Sequence, residues 1–192
     1  MIVQYLPKLN TFKMKKTFLA LVLLTIFACK NEVKKDLNTQ IVEHVELPKF
    51  IVEMNFKTDK ADAFRLMLRN VELDEFQKKD IIIEEKVSPT SSIDLVSASF
   101  GEGNISNYFS INFGKQDEKI IEIETITLSY GNNHVVVNRG NFNKYFNPNK
   151  DVSVSLDLPN IILHVDKNTN NKSNPTIYAK SSLMAELMNT KQ

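Results

Sequence analysis

A chain of 192 residues, 42% of them hydrophobic, is long enough for one folded domain plus a targeting segment and too apolar to stay disordered. A net charge of +1 provides no global field to gather nucleic acid, and the basic residues form no stripe with interleaved aromatics, so no nucleic-acid partner is expected. The only cysteine, Cys29, excludes an internal disulfide, and the fold must rest on hydrophobic burial.

Residues 1–13 carry no clear pattern, and Met14 reads as the true start. Lys15-Lys16 is basic, Thr17 to Ala28 is an uninterrupted and mostly apolar run, and a polar stretch follows Cys29. A basic segment, a short apolar run and a small residue make a secretory signal peptide, here residues 1–28. The run is short of the ~20 apolar residues that a permanent membrane span needs. The junction Ile26-Phe27-Ala28-Cys29 resembles the lipobox of bacterial lipoprotein precursors. Ile26 takes the branched aliphatic position, Ala28 the small one and Cys29 the lipidated one, while Phe27 departs from the usual small or aliphatic residue. The resemblance covers residues 14–29. It implies cleavage before Cys29 and lipid on its thiol. It further implies a membrane anchor in the cell envelope, at the outer membrane on its periplasmic face or at the cell surface. The alternative is an ordinary signal peptide in which Cys29 is incidental.

Residues 29–47, from Cys29 through Lys30-Asn31-Glu32 to Leu47, are charged and poorly patterned, which predicts a flexible tether. From Pro48 the pattern changes to period two, the mark of half-buried strands. Phe50, Val52, Met54 and Phe56 alternate with Ile51, Glu53, Asn55 and Lys57, and Phe64, Leu66 and Leu68 alternate with Arg65, Met67 and Arg69. Ile81-Ile82-Ile83 leads into Glu84-Glu85-Lys86, a strand buried at one end. Phe109, Ile111 and Phe113 form one face of the next. Ile120 to Tyr130 is a long strand whose phase changes between Glu124 and Ile126, as a β-bulge produces. Strands are predicted at Val135 to Val137, Val152 to Leu156, Ile161 to Val165 and near Ile177. Tyr130-Gly131-Asn132-Asn133-His134 reads as a hairpin connection. Gly101 to Asn104, Asn147-Pro148-Asn149 and Asn168 to Pro175 read as loops, and residues 182–189 as a short terminal helix or frayed end. The expected fold is all-β: one antiparallel sandwich or jelly roll of about nine strands over residues 48–192.

No catalytic, metal or cofactor motif stands out. His44, His134 and His164 lack metal-ligand spacing, and Asp166 to Asn171 lacks the regular spacing and glycine of a calcium loop. The carboxylates Asp74-Glu75, Glu84-Glu85 and Glu122 with Glu124 suit a solvated sheet as well as they suit a glycosidase pair. Tyr108, Tyr130 and Tyr145 fall at strand ends or in loops among Asn107, Asn132, Asn133 and Asn147. Aromatic faces beside amides suit a sugar, which has apolar C–H faces and a polar rim. Against that, Tyr145-Phe146 can equally plug the sandwich edge as core. The strand pattern, in segments such as Ile123 to Tyr130, loosely resembles jelly-roll carbohydrate-binding-like domains of bacterial surface proteins. That likeness implies a fold and no site residues. Expected, then, is a lipid-anchored, non-enzymatic envelope protein that binds a glycan through Tyr108, Tyr130, Asn132, Asn133 and Tyr145. A subunit docking on an envelope protein is the alternative, and a glycan hydrolase the third reading.

Overall fold

A computed structural model describes residues 46–116, 118–166 and 174–189. The lipobox with Cys29, the tether up to residue 45, His44 and most of the loop from Asn168 to Pro175 lie outside the described residues. Among the described residues, eleven strands and two short helices follow one another: β1 Lys49–Thr58, β2 Asp62–Glu72, β3 Lys78–Val87, β4 Asp94–Glu102, β5 Tyr108–Asn112, β6 Lys119–Tyr130, β7 Asn133–Val137, α1 Phe142–Tyr145, β8 Phe146–Pro148, β9 Val152–Ser155, β10 Ile161–Val165, β11 Thr176–Ala179 and α2 Ser181–Met188. They form two antiparallel sheets. One runs β4-β1-β6-β10-β9, with β7 beside the far half of β6, and the other runs β3-β2-β5-β11-β8. β2-β3, β6-β7 and β9-β10 are hairpins within a sheet, and the remaining connections pass from one sheet to the other.

The alternation along β1 buries Phe50, Val52, Met54 and Phe56 and turns Ile51, Glu53 and Asn55 outward. Phe64, Leu66 and Leu68 of β2 and Phe109 and Ile111 of β5 meet them from the opposite sheet. Phenylalanine does the work that tryptophan does in many sandwiches. Phe50 packs edge-on to Phe109 with centroids 5.3 Å apart, and Phe64 packs edge-on to Phe113 at 5.3 Å. Each fully buried side chain of this kind contributes about 1.5–3 kcal/mol. The phase change in β6 is a bulge: Asn55 pairs with Thr125 and Phe56 with Ile123, so Glu124 has no partner across the ladder. The β6-β7 turn is Gly131-Asn132, with Gly131 at φ +60, the positive first position that a type II′ hairpin requires.

The structure adds two strands to those read from the sequence. β4 carries Val96, Ala98 and Phe100 inward, an alternation diluted by Ser97 and Ser99. β8 corrects the loop expected at Asn147-Pro148. It is a three-residue edge strand, where Pro148 needs no amide hydrogen for the ladder. β3 is also an edge strand, with Ile82 56% exposed and Val87 buried. The terminal helix α2 buries Leu183, Met184 and Leu187 against β6, β7 and α1.

Among the described residues, one charged residue lies wholly inside. Lys119 begins β6 in phase with Ile121 and Ile123, is 1% exposed, and meets Asp62, the first residue of β2 in the other sheet. Asp62 also accepts hydrogen bonds from the backbone N–H groups of Ala63, Lys115 and Gln116. Burial pushes its carboxyl up, but the Lys119 hydrogen bond and these amides outweigh that and hold it below the usual 3.8. Gly114, at φ +86, passes so close that a Cβ there would overlap the Asp62 carboxylate.

Candidate functional site

Antiparallel register brings the start of β1, the end of β2, the starts of β3 and β5, the end of β4 and the β6-β7 turn to one end of the sandwich. A polar cleft of about 520 Å³ opens there. Asn70, Glu72 and Lys78 line one side, and Gly103, Ile105, Ser106, Asn107, Tyr108 and Met188 line the rest. The volume lies in the range of about 300–1,000 Å³ that small-molecule sites occupy.

Local chemistry shapes this cleft. Asn70 takes a positive φ of 54 where the β2-β3 register shifts, and its backbone N–H donates to Asp80 Oδ1 at 2.9 Å. Glu72 and Lys78 are opposite one another in the ladder and pair at 3.3 Å, so the two charges on this wall cancel. Ser106 is buried and donates to the Arg69 carbonyl, while its oxygen accepts the Tyr108 amide at 3.2 Å. That pair of bonds fixes the loop from which Tyr108 projects. Tyr108 is 61% exposed.

Tyr130, Asn132 and Asn133 do not join this cleft. They line a neighbouring hollow of about 240 Å³ with Pro48, Gly131, Leu187 and Met188, so Met188 borders both. Asn133 is already engaged. Its Nδ2 donates to the carbonyls of Leu187 at 2.9 Å and Asn189 at 3.2 Å, satisfying groups that the end of α2 leaves unpaired. Tyr145 is corrected from binding residue to core: it is 3% exposed beneath α2, with no face open for stacking. Its hydroxyl donates to Glu186 Oε2 at 2.9 Å and accepts from Lys144 Nζ at 2.6 Å. The tyrosine hydrogen bond first, then that of Lys144, holds the Glu186 carboxyl below its usual value.

One member of each carboxylate pair bonds within the fold. Asp74 Oδ1 accepts the amides of Phe76 and Gln77 and closes the β2-β3 turn. Glu84 pairs with Arg65 at 2.7 Å. Glu122 accepts from Asn160 at 2.6 Å and faces Lys57 at 3.6 Å, while Glu124 sits exposed at the bulge. Among the described residues, no group of three or more His, Cys, Asp or Glu side chains is placed to hold a metal ion. Sequence reading named Tyr108 and its neighbour Asn107 but missed Asn70, Glu72, Lys78 and Ser106. Only the hairpin and the β4-β5 loop bring those residues together. Comparisons with family models, with curated proteins and with solved structures each return no match.

Proposed function

We propose that this chain is a lipid-anchored protein of the bacterial cell envelope, held through Cys29, whose β-sandwich binds a glycan without turning it over. The carrying observation is the cleft at the strand ends. It offers one exposed aromatic face, Tyr108, beside the amides of Asn70 and Asn107. A sugar stacks its C–H face on such a ring and hydrogen-bonds its hydroxyls to such amides. The Glu72–Lys78 pair leaves the wall without net charge, which suits a neutral glycan. The test is a glycan array followed by titration of the best hit. Tyr108→Ala should weaken binding roughly tenfold, about 1.4 kcal/mol, and leave the melting transition unchanged because the residue is largely exposed. Unaltered binding in the variant would reject this site, and hydrolysis of the glycan would move the protein to the enzyme reading.

Docking on an envelope protein is the second reading. It draws on the β2-β3 hairpin, where Phe76 is 91% exposed and Leu73 51%. An array without binding, together with a partner lost on Phe76→Ser, would favour it.

A further inference from the structure

At the end of the sandwich opposite the cleft, Lys119 and Asp62 bridge the two sheets. The Lys119 side chain is 0% exposed and that of Asp62 8%. Lys119 Nζ lies 2.5 Å from Asp62 Oδ2, donates to the Phe113 carbonyl, and sits 5.6 Å from the centroid of the Phe64 ring. Phe56 and Phe113 pack on the same ring at 5.3 Å each, which makes that side of the site apolar, while Asp59 and Lys60 act on the amine from the adjoining turn. Two opposite charges in such a place carry a desolvation cost that their attraction offsets only in part. Burial, ahead of the opposing hydrogen bond from Asp62, depresses the Lys119 amine below its usual value.

We infer that Lys119 and Asp62 are the two ends of an intramolecular amide cross-link, formed when the amine condenses with the carboxyl group and one water leaves. An Nζ–O distance of 2.5 Å places the carboxyl carbon roughly 3–3.5 Å from the amine, the separation of a near-attack conformer. The ammonium first passes a proton along the hydrogen bond to Oδ2, against the amides that favour the carboxylate, giving a transient neutral amine and neutral acid. The nitrogen lone pair then adds to the carboxyl carbon, and the negative charge collects on Oδ1. That oxygen is held by the N–H groups of Ala63 at 2.8 Å and Lys115 at 3.1 Å, which act as an oxyanion hole. The C–O bond to Oδ2 breaks as that oxygen takes a second proton from the nitrogen and departs as water. An ammonium and a carboxylate thus become one amide and one water, with no oxidant or other reactant. In the product the buried polar atoms keep partners, and the exposed Gln116 N–H, which held Oδ2, turns to water. The remaining N–H points to the Phe113 carbonyl, and the amide oxygen keeps Ala63 and Lys115. Both buried charges are gone, and a covalent tie closes a span of 57 residues between the sheets.

The test is peptide mapping of the purified full chain by mass spectrometry after denaturation. The expected result is one branched peptide joining the segments of Asp62 and Lys119, lighter by one water than their sum. Lys119→Arg, which keeps the charge but cannot condense, should return both segments as separate linear peptides. It should also slow migration in a denaturing gel, because the internal loop is opened. The wild-type map decides even where that variant folds poorly: Asp62 and Lys119 recovered wholly in separate linear peptides would overturn the cross-link and leave an ion pair.

Discussion

At the scale of single residues, the Asp62 carboxyl group gathers four partners. It holds Lys119, the amides of Lys115 and Gln116 in the β5-β6 loop, and its own neighbour Ala63. Asp62→Ala strands the Lys119 amine in a dry pocket, whether the native pair is ionic or condensed, and unties the loop. Leaving one partner of a buried pair uncompensated costs about 3–5 kcal/mol, and urea unfolding should read a loss of at least that size. A loss comparable with an exposed pair, under about 1 kcal/mol, would mean that water reaches the amine.

At the scale of elements, α2 completes the core where the second sheet stops short, covering β6 and β7 with Leu183, Met184 and Leu187. Tyr145 of α1 pins this helix from below through Glu186. Tyr145→Ala removes a buried ring and should lower stability by about 3 kcal/mol or more, measured by denaturant unfolding. The hydroxyl has its own signature in pH. Glu186 has a lowered carboxyl pKa in the folded protein, against an ordinary 4.5. The unfolded chain therefore takes up that proton first as pH falls, so the contribution is complete above the ordinary value and fades as pH drops through the lowered one. The gap in melting temperature between the wild type and Tyr145→Phe should accordingly narrow in acid. A gap that stays constant down to the acid limit would show that Glu186 does not hold the hydroxyl.

At the scale of the whole molecule, the two sheets are joined by hydrophobic burial and by the Lys119–Asp62 bridge, with no cysteine in the sandwich. A fragment from residue 45 onward should be β-rich in the far ultraviolet, and its unfolding should not respond to reductant. The anchor proposal predicts that Cys29→Ser abolishes lipid labelling and leaves the precursor unprocessed, because a hydroxyl cannot replace the thiol as acceptor. Intact mass decides: a mature protein beginning elsewhere with no acyl mass would remove the lipid anchor.

Alternation of large apolar residues determined the all-β class by itself, since a period of two places Phe50, Val52, Met54 and Phe56 on one face in any antiparallel strand. The bulge at Glu124 and the turn at Gly131 were legible for the same reason: each is a local break in a local pattern. β4 and β8 were not, because serine dilutes the one and the other is three residues held by its neighbour. Tyr145 could be read as surface or core until α2 was seen to cover it. The cleft around Tyr108 draws on the β2-β3 hairpin, the β4-β5 loop and the last residue of α2, which only folding makes adjacent. Lys119 falls just before the strand read from Ile120, and its partner lies 57 residues away in the other sheet. Periodicity is a property of neighbours along the chain, whereas pairing a buried charge and closing a cleft depend on contacts between distant segments that only the tertiary structure decides.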